Sequence, residues 1–178
     1  MSTLHGSRYF STLDCKSGFH QVKVAEADRD KTSFTTPLGS FGFRKMAFGL
    51  CNGPSTFQRL MDIILKELRG TECWVFLDDL IIFSDTIEEH ANRLEHVLQR
   101  FEKANLLLQP AKCVFAKSKV QYLGYVVSRE GISASPDKVK AVREYPTPQS
   151  VKDVRSFLGL ASFYRQTTLL TQISQLCR

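Results

Sequence analysis

Residues 74–84, WVFLDDLIIFS, set Asp78 and Asp79 side by side inside an otherwise apolar run. A buried, unpaired carboxylate is costly and tends to take up a proton. The run therefore reads as strand, turn, strand, with the aspartates at the turn. Two-residue hairpin turns are usually built from Asn-Gly or Asp-Gly, because such turns need positive φ. Asp-Asp is a poor choice for that geometry alone. Two readings stay open here: a solvated acidic turn, or a site for a hard divalent cation, which takes oxygen ligands.

A third acid bears on the choice. Asp14 closes another apolar segment, YFSTL at 9–13, and precedes a glycine-containing turn. If the two strands are sheet neighbours, Asp14 meets the Asp78-Asp79 turn at one end of the sheet. Three carboxylates there suit two Mg²⁺ ions and in-line phosphoryl transfer. Asp14 could equally be an ordinary strand-end residue.

Periodicity supplies the surroundings. HQVKVA at 20–25 alternates after Ser17-Gly18 and predicts a hairpin with the Asp14 strand. TSFTT at 32–36 and GFRKM at 42–46 predict strands flanking the turn PLGSF. A helix follows CNGPS, with Pro54 in its first turn, a stripe of Phe57, Leu60, Met61, Ile64, Leu65 and Leu68, and Gly70 as its end. Thr86 with Glu89 fits the capping box of a second helix, Asp85 with Glu88 offers a neighbouring alternative, and Asn105 is its stop. Its core face is Ile87, Ala91, Leu94, Val97, Leu98 and Phe101. VQYLGYVVSREGIS at 120–133 predicts a hairpin turning near Glu130-Gly131, and two helices follow from Ser135 and Ser150. This order implies an α+β fold, an antiparallel sheet with helices on one face.

The totals narrow the function class. The chain has 178 residues, 43% hydrophobic and 24% charged, as soluble globular domains do. A net charge of +6 suits a polyanionic partner such as nucleic acid. Five cysteines, an odd number without C-x-x-C spacing, argue for reduced thiols and against a disulfide framework or zinc site. There is no apolar run of ~20 residues and no signal-like leader. The expectation is an intracellular protein of cytoplasm or nucleus, not secreted and with no membrane partner.

Four blocks at 9–22, 31–61, 75–84 and 106–132 occur in one order: YFSTLDCKSGFHQV, KTSFTTPLGSFGFRKMAFGLCNGPSTFQRLM, VFLDDLIIFS and LLLQPAKCVFAKSKVQYLGYVVSREGI. A fifth, SPDKVKAVREYPTPQSVKDVRSFLGLASFYRQ, follows at 135–166. Together they resemble the reverse transcriptases of gypsy-class long-terminal-repeat retrotransposon Pol polyproteins. Within the match, Ala47 stands for a usual proline and Gly53 for a usual alanine.

The resemblance implies a polymerase palm with part of the fingers over 8–133, the start of a helical thumb over 134–166 and a divergent tail over 167–178. It implies template-directed DNA synthesis, with Asp14, Asp78 and Asp79 as catalytic ligands of two Mg²⁺ ions, Mn²⁺ being an alternative. Phe76 occupies the tyrosine place of the family's aspartate-pair box. Lys112 falls where a general acid serves the leaving pyrophosphate. Phe19 matches the aromatic gate that excludes a 2′-hydroxyl, and Phe48 lines the nucleotide pocket. Asn52 and Pro54 fall at template contacts, and Leu123, Gly124 and Tyr125 at the hairpin that holds the primer. Each of these also has an ordinary use in packing, helix entry or a turn. Implied partners are an RNA or DNA template-primer, deoxynucleoside triphosphates and other Pol segments such as ribonuclease H. Because the family pattern extends beyond the match at both ends, the chain is expected to be truncated and weak or inactive alone. The alternative is a non-catalytic remnant that at most binds nucleic acid.

Overall fold

The computed structural model describes residue 4 and residues 6–163. The expected tail at 167–178 and the last three residues of the thumb segment lie outside the described residues. The chain packs as two units, one spanning Arg8–Lys117 and the other formed mainly by the residues from Ser118 onward.

The first unit is built on a four-stranded antiparallel sheet. Its strands are β1 (Tyr9–Asp14), β4 (Cys73–Phe76), β5 (Asp79–Ser84) and β6 (Val114–Lys117), in the order β4-β5-β1-β6. β5 is buried from Leu80 through Ser84, which explains its unbroken apolar run: a central strand is covered on both faces. On one face Leu13, Cys15, Cys73, Val75, Leu80 and Ile82 form a single core with two helices, α2 (Gly53–Ile64) and α3 (Ile87–Lys103). Phe57 and Met61 of α2 and Val97 and Phe101 of α3 complete it. This is the expected α+β arrangement, with both helices on one side of the sheet.

Local chemistry sets the helix ends. Thr86 Oγ1 accepts from Glu89 N–H at 3.2 Å, and Glu89 Oε2 accepts from Asp85 N–H at 3.2 Å, so α3 begins on the predicted cap. It stops where Asn105 turns left-handed, at φ 53°. Three expected core residues, Ile87, Ala91 and Leu98, are instead exposed, and His90 takes a buried place on α3. His90 Nδ1–H donates to Ser84 Oγ at 2.9 Å, because that hydroxyl's proton is committed to Thr86 C=O. His90 Nε2 accepts from Ser11 Oγ at 2.6 Å, and Ser11 Oγ in turn accepts from Ala116 N–H at 2.9 Å. That last bond pins β6 where its pairing with β1 slips register and Ala116 is left-handed, at φ 47°.

The structure corrects several expectations. No hairpin follows β1: Ser17 turns left-handed, at φ 48°, and a single helical turn, α1 (Gly18–Gln21), takes its place. The alternating residues beyond it pair with a different partner, through Val24 N–H to Arg44 C=O and Met46 N–H to Val22 C=O. The small hairpin is β2 (Phe34–Thr36) with β3 (Gly39–Phe41), so its second strand precedes GFRKM. α2 ends at Ile64, four residues before Leu68, although Leu65 and Leu68 remain buried in the following turns.

The second unit carries a three-stranded antiparallel meander and two helices. Its strands are β7 (Lys119–Tyr122), β8 (Tyr125–Ser128) and β9 (Gly131–Ala134). The β8–β9 hairpin turns at Arg129-Glu130, one residue before the expected Glu130-Gly131; β7 falls within the stretch read as that hairpin, while β6 has no counterpart in the sequence reading. Leu123 and Gly124 link β7 to β8 with φ 50° and 79°, the pair of positive angles a two-residue hairpin turn needs. α4 (Pro136–Arg143) and α5 (Val151–Phe163) follow. Asp153 N–H donates to Ser150 Oγ at 3.2 Å and Ser150 N–H donates to Asp153 Oδ2 at 2.9 Å, a reciprocal cap on α5.

Candidate active site

β1 and β5 run antiparallel in adjacent positions, with Asp14 and Asp79 as register partners at the end of the ladder. Directly paired residues project from the same side of a sheet. Leu13 and Leu80 face the helices, so alternation puts Asp14 and Asp79 on the opposite face. The turn between β4 and β5 is Leu77-Asp78, not Asp78-Asp79, since Asp79 already belongs to the strand. The positive φ that the turn requires falls on Leu77, at 55°. Leu77 tolerates it because its N–H donates to Gln58 Oε1 of α2 at 2.6 Å. Gln58 Nε2 is held in turn by Asp62 at 2.9 Å.

Asp78 is half-buried, and its Oδ1 has no hydrogen-bond partner. That oxygen lies against α1: a Cβ on Gly18 would come 2.9 Å from it and 2.8 Å from Phe57 Cζ. Glycine is needed here for close approach. Burial first, then the charges of Asp14 and Asp79, hold the Asp78 carboxyl above the usual range, and Lys112 partly opposes this. Burial and then Asp14 push Asp79 the same way, although its surface is largely open. Lys112 Nζ stands 3.7 Å from Asp14 Oδ2. Burial, then Asp78 and Asp14, push the Cys15 thiol up to about 12, so it stays protonated beside the acids and is no thiolate ligand.

These observations test the fit to a divalent cation. An orphaned carboxylate oxygen and two raised acids mark a place short of positive charge, and the donors are the hard oxygens that Mg²⁺ prefers. As they stand, no three His, Cys, Asp or Glu side chains among the described residues form a group that could hold a metal ion.

The aromatic residues gather beside the acids. Phe19, on α1, packs its ring 5.6 Å from Phe57 and 5.5 Å from Phe48. Phe48 is 63% exposed and also meets His20 edge-on at 4.8 Å. Asn52 and Pro54 are exposed at the start of α2, where Asn52 C=O accepts from Thr56 N–H at 2.9 Å. Leu123, Gly124 and Tyr125 belong to the second unit and are described only within it, at the β7–β8 turn. Gln58 and Gly18 were not singled out in the sequence. Neither has a composition or spacing that announces a role; each is recognised only by what it touches.

An acid pair at the end of an antiparallel sheet, backed by two helices and flanked by a lysine and an aromatic cluster, is a polymerase-type arrangement. A family model described as reverse transcriptase (RNA-dependent DNA polymerase) matches residues 1–127, and the chain belongs to that family. It is 46% identical over 165 residues to the Retrovirus-related Pol polyprotein from transposon gypsy of Drosophila melanogaster, covering 93% of this chain and 16% of that relative. Transposon opus of the same organism is 44% identical over 166 residues, covering 93% of this chain and 17% of the relative. The Tf2-3 polyprotein of Schizosaccharomyces pombe is 32% identical over 166 residues, 93% of this chain and 12% of that one. The chain thus spans about a sixth of the length of the first two. In fold it is similar to the foamy viral protease-reverse transcriptase dRH in complex with double-stranded DNA, with TM-score 0.83 and 24% identity over 89% of this chain and 28% of that one. The foamy viral enzyme in complex with an RNA/DNA hybrid gives 0.79 at 23% identity, over 92% of this chain and 22% of the other.

Proposed function

We propose that this chain is the palm of a template-directed DNA polymerase within a retrotransposon Pol polyprotein. It would extend a primer with deoxynucleoside triphosphates on an RNA or DNA template. The observation that carries the reading is the register pairing of Asp14 with Asp79, next to Asp78 and with Lys112 Nζ 3.7 Å from Asp14. Asp14, Asp78 and Asp79 would hold Mg²⁺, or Mn²⁺, which supplies charge neutralisation at the reacting phosphate and acidifies the primer hydroxyl. Lys112 would hold a proton near the leaving group. Phe19 would sit under the incoming sugar, and Phe48 would wall the nucleotide pocket. The start of α2, with Asn52 and Pro54, would meet the template, and the Leu123–Gly124–Tyr125 turn the primer.

Palm and partial fingers over 8–133, with the thumb beginning at 134, remain our division by role. The nucleic acids in the two foamy viral structures support a template-primer partner here, and further Pol segments such as ribonuclease H would act with it. An intracellular place, cytoplasm or nucleus, is part of this proposal. Among the described residues no helix is long and apolar enough to cross a membrane.

Primer extension on an RNA template with Mg²⁺ and deoxynucleotides tests the reading. Extension by the wild type that Asp78→Asn abolishes supports it. Salt-sensitive binding of the template-primer with no extension would favour a non-catalytic nucleic-acid-binding role instead.

A further inference from the structure

β1 does not end its pairing at Asp14. Gln109 N–H donates to Asp14 C=O at 2.9 Å, and Lys16 N–H donates to Leu107 C=O at 2.9 Å. Cys15 and Leu108 are bridge partners between them. The chain then leaves this ladder at left-handed Ser17 and enters α1. One side chain returns to the ladder. Gln21 Nε2 donates to Leu107 C=O at 2.9 Å and to Lys16 C=O at 2.7 Å, while its Oε1 accepts from Leu107 N–H at 2.7 Å. A carboxamide carries the same donor and acceptor pair as a peptide group. Gln21 therefore pairs with Leu107 as a strand residue would, although it sits at the end of a helical turn.

This closes a loop. Its ends, Lys16 and Gln21, are fastened to each other and to Leu107, and Phe19 lies between them. From Leu107 the chain runs through Gln109, which is bonded to the Asp14 carbonyl, to Lys112, which faces the Asp14 carboxylate. α1 has four residues, too few to hold a helical conformation unaided. Gln21 supplies three of the bonds that hold it.

We propose, resting on the polymerase reading above, that Gln21 is a positioning residue for the nucleotide site: it fixes the Phe19 ring relative to Asp14 and Lys112. Its bonds lie at the surface, so losing them costs little stability. What is lost is the placement of a ring whose discrimination between sugars depends on excluding one hydroxyl. Small misplacements of such groups cost large factors in rate.

The test uses the full chain with Gln21→Met, and Gln99→Met as the control for losing a surface glutamine bond, that of Gln99 with Glu95. Two readouts are taken: the Phe19 ring resonances with the exchange rate of the Leu107 amide, and the ratio of dGTP to GTP incorporation on a primed RNA template. Gln21→Met is expected to shift the Phe19 resonances, speed Leu107 exchange about tenfold and lower the sugar ratio about tenfold, with little change in melting temperature. Gln99→Met is expected to change none of these. Unmoved Phe19 resonances and a wild-type sugar ratio in Gln21→Met would overturn the proposal. If the wild type extends no primer, the polymerase reading fails on that result, and the Phe19 and Leu107 readouts decide Gln21 alone. Should Gln21→Met not fold, Gln21→Asn, one methylene too short to reach both partners, is read by the same criteria.

Discussion

Asp14 and Asp79 face each other across the β1–β5 ladder, register partners with like charge on one side of the sheet. Like charges directly opposed across a sheet are destabilising unless something offsets them. The folding unit therefore carries a local cost that an added cation would relieve. Lys112, at 3.7 Å and largely exposed, does so in part.

The first prediction follows from that cost. Asp78 and Asp79 titrate above their usual range in the folded state, so the folded chain binds their protons more tightly than the unfolded one. Stability from these groups is present at low pH and is lost as pH rises from the ordinary carboxylate value of 3.8 through the raised one. At neutral pH without divalent cations, Asp79→Asn should raise the melting temperature by a few degrees. Adding Mg²⁺ should stabilise the wild type more than the variant. A melting series with and without chelator, at pH 4 to 8, checks both.

Two glycines near the site should respond to alanine in opposite directions. A Cβ at Gly18 would stand 2.8 Å from buried Phe57 and 2.9 Å from Asp78. Gly18→Ala should cost about 1–3 kcal/mol through overpacking, and should displace the aspartate as well. At Gly53, where the family usually has alanine, the nearest atoms are 3.9 Å away. Gly53→Ala should stabilise the start of α2 by about 0.4–1 kcal/mol. Denaturant titrations of the two variants measure the contrast.

These responses also show what was legible in the sequence. The acid turn, the strand before Asp14 and the caps of α3 and α5 were readable because each depends on neighbours close in the chain. Thr86 and Glu89 carry their own geometry, as do Ser150 and Asp153. The helical turn at Gly18–Gln21 was not readable. HQVKVA alternates like a strand, and what fixes its first residues as a helical turn is the bonding of Gln21 to Leu107, far along the chain. The same holds for the turn residue: Asp78-Asp79 looked like the bend, but support of Leu77 N–H by Gln58 lets the bend fall one residue earlier. That Asp14 and Asp79 would be register partners could be stated only as a condition, since pairing between distant strands leaves no local trace.

His90 makes a separate, pH-dependent prediction. Burial first, then Arg93, hold its imidazole below the usual value of 6.5, with Glu89 partly opposing. Both ring nitrogens are engaged, by Ser11 and Ser84, and a second ring proton would meet the Ser11 hydroxyl proton. The unfolded chain thus binds a proton that the folded one refuses, and stability should fall as pH drops below 6.5 toward the lowered value. Above 6.5 the histidine contributes no slope. Melting curves from pH 5 to 8 on wild type and His90→Gln should show the decline in the former and a flatter profile in the latter.

The most direct test of the shared acid site is a Mn²⁺ titration of the isotopically labelled chain, followed by paramagnetic broadening of its amide signals. Broadening should centre on residues 14, 78 and 79 and disappear in Asp79→Asn. Broadening centred elsewhere, such as at Glu67, Glu72 and His96, or an Asp79→Asn pattern identical to wild type, would contradict the claim that these three carboxylates serve one cation site.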